Sequence, residues 1–304
     1  MPDNAQDVLE RLSAALGGRV AAARRLVAGI AVRGHPPRSG TWWRKDVVVA
    51  SEQALPDGRD VEIALADGGT FAARIVGRDA GTNVAVLRFE GGPEPTPPDP
   101  AEPQEPQPGG LVLAMGADGA GGVSARLGVV HAVGPAWHSR AGGHVDRRIL
   151  IDVRLGSGEE GGPVLDAAGR LLGISTLGPR RRVLVIPAAT VERVLEPLLT
   201  KGHVERGWLG AAVQPVLVPE TLQAEAGQTL ALIVIGVTKD GPAAQAGLLA
   251  GDILLGVDGV AVGSPKELAG RLDEASVGRL LELRLIRAGA LHTLSVTIGA
   301  RPAR

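Results

Sequence analysis

The chain contains no cysteine and no tyrosine, and only 2% of its 304 residues are aromatic. Without cysteine it forms no disulfide and no thiolate metal site, and cysteine usage leaves the redox compartment open. With so few aromatics, the cores are expected to be built from Val, Leu, Ile and Ala, which a hydrophobic content of 44% supplies. Neither sign of charge is in excess. The formal net charge is −1, which argues against a nucleic-acid or anionic-membrane surface. No apolar run approaches the roughly 20 residues that span a bilayer. Met1-Pro2-Asp3-Asn4 has no basic segment leading into an apolar core, so no export signal is expected and the chain is placed in the cytoplasm. The six histidines show no ligand spacing; His138 and His144 fit a solvated loop better than a metal site. No metal and no cofactor is expected.

The length suits two domains. Residues 4 to 17 read as a short amphipathic helix with Val8, Leu9, Leu12 and Leu16 on one face, stopped by Gly17-Gly18. Its plain role is to pack on the body of the protein. Val61 to Leu65 and Phe71 to Val76 form a hairpin that turns at Asp67-Gly68-Gly69. The stretch 91–110 is rich in Pro and Glu and cannot bury a core, so it is read as an extended connector. Ala188 to Lys201 is a helix closed by Gly202. Ser264 to Ala275 is a long helix with Ser264 as cap, Pro265 at the first position and Glu267 three beyond the cap. Leu280 to Arg287 and Leu291 to Ile298 are the closing strands.

The densest run of glycine is Gly156-Ser157-Gly158-Glu159-Glu160-Gly161-Gly162-Pro163, set between the apolar runs 149–153 and 171–174. Such a turn can present consecutive backbone N–H groups to one bound group. It resembles the G-x-S-G-G-P turn of trypsin-like serine proteases, with Glu160 in the place of the nucleophile. Asp152 stands eight residues earlier, and Gly169-Arg170-Leu171-Leu172-Gly173-Ile174 follows, both as in the HtrA (DegP/DegQ-type) family. Val47 to Leu55 resembles that family's V-V-T-N-x-H-V-V, with Gln53 at the His, and Arg78 to Leu87 resembles its D-x-x-x-D-(I/L)-A segment, with Asn83 at the Asp. Arg206-Gly207-Trp208-Leu209-Gly210 and Gly241-Pro242-Ala243-Ala244-Gln245-Ala246-Gly247-Leu248 resemble a PDZ domain.

The resemblance covers about residues 25 to 300 and implies a mostly β fold, a two-barrel chymotrypsin-like domain followed by an α+β PDZ domain. The expected divisions are an N-terminal extension, 1–24; a trypsin-like domain, 25–187, with the Pro-rich loop between its barrels; a linker helix, 188–204; and a PDZ domain, 205–302. All three triad positions are replaced, by Gln53, Asn83 and Glu160, and Gly158 and Glu160 supply the amides of the vestigial oxyanion turn. A glutamine cannot act as general base, and an asparagine cannot stabilise an imidazolium. The expectation is a homologue that is not an enzyme and that binds protein or peptide C-termini as an adaptor or scaffold. The alternatives are an HtrA-type endopeptidase in protein quality control, active through a non-standard site, and a chaperone-like surface in the old cleft. Ser157, three residues ahead of the nucleophile position, is a poor substitute for it. The Arg180-Arg181-Arg182 hairpin, where the family walls its specificity pocket, reads as a solvated turn, with attraction of an acidic side chain as the sharper reading. The resemblance places the peptide site at Trp208, Leu209, Gly210 and Ala211, along Ala212 and Val213, and beneath Leu268 and Leu272. Relatives trimerise through N-terminal aromatics that this chain nearly lacks, which leaves homo-oligomerisation open.

Overall fold

The structure, a computed structural model, describes residues 3–66, 68–92, 105–118, 122–139, 141–156 and 158–301. Asp67 of the expected hairpin turn, residues 93–104 of the Pro-rich stretch, and Ser157 lie outside the described residues. The chain divides into two compact units, Met1–Trp137 with Val145–His203, and His138–His144 with Val204–Arg304.

The first unit opens with α1 (Asp3–Ala23) and a single 3-10 turn at Arg24–Leu26. It then forms β1 (Val27–Ala31), β2 (Arg38–Arg44), β3 (Val47–Ser51), β4 (Asp60–Leu65), β5 (Thr70–Asp79) and β6 (Val84–Phe89). These six close a barrel in the order β1-β2-β3-β6-β5-β4, antiparallel at every join. Every residue of β3 is buried, because the strand faces the barrel interior on one side and other packed elements on the other. The aromatics are concentrated in this barrel. Phe89 lies 6.4 Å from Trp42 and 5.4 Å from Phe71, ring centre to ring centre. Its core is therefore not aliphatic throughout, as the composition suggested.

The second barrel contains β7 (Leu111–Ala117), β8 (Val123–Gly134), β11 (Arg148–Asp152), β12 (Pro163–Asp166), β13 (Leu171–Leu177) and β14 (Val183–Pro187). Two short strands, β9 (Trp137–His138) and β10 (His144–Val145), interrupt the sequence between β8 and β11. The barrel closes in the order β11-β14-β13-β12-β7-β8 around Val112, Val130, Ile149, Ile151, Val164 and Val185. Helix α2 (Ala188–Lys201) ends at Gly202 in the left-handed conformation. It buries Val191, Val194, Leu195 and Leu198, and its Glu192 and Glu196 are held by the indole N–H of Trp43 and the guanidinium of Arg44 from β2.

The second unit contains β15 (Gly207–Trp208), β16 (Ala211–Leu217), α3 (Glu220–Ala226), β17 (Leu230–Val237), α4 (Pro242–Gln245), β18 (Ile253–Val257), β19 (Val260–Ala261), α5 (Pro265–Arg271), β20 (Leu280–Arg287), β21 (Ala290–Thr297) and β22 (Gly299–Ala300). Its main sheet runs β16-β17-β18-β20-β21, with β19 paired to β18 and β15 to β22. Asp252, 2% exposed, accepts from Arg287 at 2.6 and 2.8 Å and from the amide of Leu249 at 2.8 Å. Burial alone would raise its pKa; the bonds from Arg287 and Leu249 and the Arg287 charge outweigh that and hold it below the usual carboxylate value. The pair joins the turn before β18 to the end of β20.

Two expectations about helices are corrected. Helix α5 is shorter than 264–275, although its capping box is present. The carbonyl of Asp273 accepts from Gly207 N, Ser276 N and Ser276 Oγ, so it cannot continue an α-helical ladder. Helix α1 does not stop at Gly17-Gly18 but runs to Ala23. Leu16, Val20 and Ala23 pack against Leu113, Met115 and Leu165, and this burial overrides the glycine penalty. A Cβ at Gly17 or Gly18 would touch nothing within 4 Å. Replacing both with Ala is therefore expected to stabilise the chain by about 1–2 kcal/mol, measured as a higher denaturant midpoint at unchanged slope.

Candidate functional site

The turn at 156–163 depends on glycine for close approach to both barrels. Gly161 has φ +96°, and a Cβ there would lie 2.9 Å from the amide nitrogen of Ser51. A Cβ at Gly162 would collide with the carbonyl of Met115. The Ser39 hydroxyl donates to the Gly158 carbonyl at 2.7 Å and accepts from Ala117 N at 2.8 Å, while Thr41 Oγ1 donates to the Gly161 carbonyl at 3.1 Å. Gly161 N and the Gly162 carbonyl pair with Ser175 of β13 at 2.9 Å each. The turn is thus held by β2 of one barrel and by β7 and β13 of the other.

Gln53, Asn83 and Glu160 come together where these barrels meet. Glu160 is 8% exposed, and its Oε1 accepts from Gln53 Nε2 at 2.6 Å, Thr176 Oγ1 at 2.8 Å, Ser51 Oγ at 2.9 Å and Leu177 N at 3.0 Å. Asn83 sits at φ +58°, a left-handed position that asparagine tolerates better than most residues. Its Oδ1 accepts from Gln53 N at 2.8 Å, and its Nδ2 donates to Thr176 Oγ1 at 2.6 Å and Ser51 Oγ at 3.0 Å. Gln53 Nε2 also reaches the carbonyl of Leu177 at 2.8 Å. Carboxamides neither gain nor lose a proton near neutrality, so the Glu160 carboxylate is the ionisable group of the three. Ser51 and Thr176 went unnoticed in the sequence, since a lone hydroxyl at the end of an apolar strand gives no pattern to find.

Glu159 was also missed. It is 7% exposed. Its Oε1 accepts from Ser124 Oγ at 2.6 Å, and its Oε2 accepts from Arg126 Nε at 2.6 Å and, very closely, from Gly156 N. Burial would raise the pKa of Glu159, but the hydrogen bonds from Arg126, Ser124 and Gly156, with the Arg126 charge, bring it below the ordinary carboxylate value. Gly116 accommodates this arrangement, since a Cβ there would come within 2.9 Å of Glu159 Cα. Arg180, Arg181 and Arg182 are exposed on the turn between β13 and β14. Among the described residues, no group of three His, Cys, Asp or Glu could hold a metal ion.

In the second unit, Trp208 lies on β15, half-buried, with its ring edge beside Gly210 and Gly241. Gly210 turns the chain at φ +78° into β16, the edge strand of the main sheet. Ala211 and Val213 are half-buried on β16 and Ala212 is exposed. Leu209 and Leu268, 3% and 5% exposed, belong to the hydrophobic core, while Leu272 is half-buried beside that core. Helix α5 packs against β16.

Residues 38–174 match the trypsin-like peptidase domain family, and residues 209–298 match the PDZ domain family. The chain is similar to a probable periplasmic serine endoprotease, DegP-like, of Brucella suis, with 31% identity over 262 residues, 84% of this chain and 50% of that protein. A relative of the same description in Pseudomonas savastanoi is 30% identical over 264 residues, 84% of this chain and 54% of that protein. The chain spans about half the length of these curated relatives. A serine endoprotease from Yersinia pestis superposes with TM-score 0.75 and 27% identity over 93% of this chain and 97% of that one. An HtrA-type protease, AlgW, with a decapeptide superposes with TM-score 0.76 at 23% identity over 95% and 99%, a likeness of fold.

Two expectations are corrected by these relatives. The chain was expected not to be an enzyme, yet the relatives sharing its frame are named serine endoproteases. The frame that those relatives share, two barrels and a glycine turn with no room for a Cβ at Gly161 or Gly162, is in place here. The cytoplasmic assignment, drawn from the composition of residues 1–4, conflicts with relatives named periplasmic.

Glu159 generates a prediction about acid stability. A carboxyl whose pKa is depressed on folding stabilises the protein above its unfolded value, and that contribution is lost as pH falls through the folded value. The loss therefore begins near 4.5 and continues below it. Arg126 is 43% exposed, so solvent screens part of the pair. Glu159→Gln is expected to cost about 1–3 kcal/mol at neutral pH and to flatten the acid limb of the stability profile. Equal acid limbs for both proteins in urea titrations at several pH values would refute the assignment.

Proposed function

We propose that this chain, which belongs to the HtrA-type family of trypsin-like peptidases followed by a PDZ domain, captures the C-terminal end of a protein or peptide on β16 and acts on that partner as an adaptor or scaffold. The observation that carries this reading is an edge strand, β16, paired on one side by β17 and packed by α5. An incoming chain adds to such an edge as a further strand, bound by main-chain hydrogen bonds and selected through side-chain pockets. Gly210, at φ +78°, makes the tight turn that lets consecutive amides of such a loop face one carboxylate. With Leu209 and Leu268 committed to the core, selection falls to the half-buried Ala211, Val213 and Leu272. Those small apolar surfaces suit a small or branched apolar terminal residue. The AlgW structures described with a decapeptide and with a tripeptide support peptide uptake in this fold.

A second reading, that the captured chain is also cleaved, is favoured by the relatives named serine endoproteases. The periplasm, where those relatives are named to reside, is the compartment proposed for this chain.

Peptides ending in Val or Ala are expected to bind with micromolar affinity, about −8 kcal/mol. Amidating their C-terminus should abolish binding, and Leu272→Asp should weaken it about tenfold or more. Calorimetry showing that amidated and free-acid peptides bind alike would sink the C-terminal reading. Casein turnover that disappears in Glu160→Ala would support the second reading, and turnover indifferent to that change would place any cleavage elsewhere.

A further inference from the structure

A cavity of about 720 Å³ opens on the first unit and shares no lining residue with the turn at 156–163. Its volume lies within the roughly 300–1,000 Å³ of small-molecule sites. One wall is the entry to β4 and the middle of β5, and the other is the C-terminal end of α2. The walls are fixed against each other. Gly77 of β5 meets α2 so closely that a Cβ there would lie 2.5 Å from the Leu198 carbonyl. Arg78 N donates to the Gly202 carbonyl at 3.1 Å, and Ile75 N donates to the Arg59 carbonyl at 2.7 Å.

The lining is cationic. It includes Arg59, Arg78, Lys201 and His203 and no Asp or Glu, in a chain whose net charge is −1. Opposing charges must be set against this. Glu52 lies 3.4 Å from Arg78, and the carbonyl end of α2 carries about half a negative charge. Asp57 and Asp60 flank Gly58 and Arg59 in sequence, Asp60 being held by Arg74 at 3.3 Å; the lining itself carries three permanent cations and no carboxylate. Lys201 and His203 have an ordinary role at that helix end, where His203 Nδ1 lies 3.0 Å from the Lys201 carbonyl. Arg59 and Arg78 come from the barrel, where Arg78 is paired with Glu52 and also reaches the Gly58 carbonyl at 3.5 Å. The Arg78 guanidinium is already oriented by the Pro56 carbonyl at 2.5 Å, so it meets a ligand with little rotamer freedom left to lose.

We propose that this cavity is a binding site for a multiply charged oxyanion borne on a small molecule. Guanidinium groups match such oxygens with paired N–H donors, which a lone ammonium cannot do. Phosphate esters and polycarboxylates share this chemistry, and inorganic pyrophosphate and citrate serve as the probes for each.

The test is calorimetric titration of the full chain at low ionic strength with pyrophosphate and, separately, citrate. At least one is expected to bind with submillimolar affinity, weakened tenfold or more in the Arg59→Ala, Lys201→Ala double variant, at unchanged melting temperature and unchanged affinity for a C-terminal peptide. Binding of pyrophosphate alone assigns the site to phosphate esters, and binding of citrate alone assigns it to polycarboxylates. If the double variant does not fold, Arg59→Glu on its exposed side chain carries the same expectation. The proposal fails if neither anion binds at millimolar concentration, or if the folded variant binds as tightly as the wild type.

Discussion

A buried carboxylate must be satisfied where it stands, because leaving water costs a charged group several kilocalories that only donors in place can return. Glu160 meets that constraint by gathering donors from both barrels: Ser51 and Gln53 from one side, Thr176 and the amide of Leu177 from the other. Asn83 then bridges Gln53, Ser51 and Thr176, so that no member of the cluster can move alone. The low dielectric strengthens each of these bonds and raises the cost of losing any one. A cleft that could part if lined by apolar side chains is therefore joined across its middle.

The neighbouring glutamate performs a different task one residue away. Its side chain is directed to β8, where Ser124 and Arg126 receive it, and its remaining bond returns to Gly156 in the same turn. Consecutive carboxylates at 159 and 160 thus point to separate partners, one cationic and one neutral. The glycines between β11 and β12 make this possible, since a Cβ at Gly162 would push the turn off β7 and break both sets of bonds. The backbone conformation sets the chemistry of the turn as much as the side chains do.

In the second unit, the same logic of satisfied buried charge fixes the frame around an open edge. Asp252 and Arg287 tie the turn before β18 to β20, and the capping box of Ser264 and Glu267 starts α5 at a defined angle. What these leave unpaired, among the described residues, is one side of β16. An edge strand is a liability unless it is covered, charged or used, and here the half-buried Ala211 and Val213 beside Leu272 give it an apolar lining suited to a short chain.

Much of this was legible in the sequence, for physical reasons that differ by region. The glycine turn, the Gly202 stop, the capping box at Ser264 and the alternating strands are local signals, because allowed backbone angles and side-chain periodicity act over a few residues. They marked individual elements, while the two-barrel and PDZ frame and the candidate positions 53, 83 and 160 came from the resemblance of the motifs to the HtrA-type family. Local rules failed where a distant contact outweighed them. Helix α1 passed Gly17-Gly18 because Leu16 and Val20 found a core to cover, and α5 ended early because the carbonyl of Asp273 was drawn to Gly207. The partners of Glu160 and Glu159, and the gathering of Arg59 and Arg78 beside the end of α2, were decided by tertiary structure alone. Apart from Gly156, in the same turn as Glu159, the partners of the two glutamates lie 16 to 109 positions away in sequence, and closing the barrels brings them within reach.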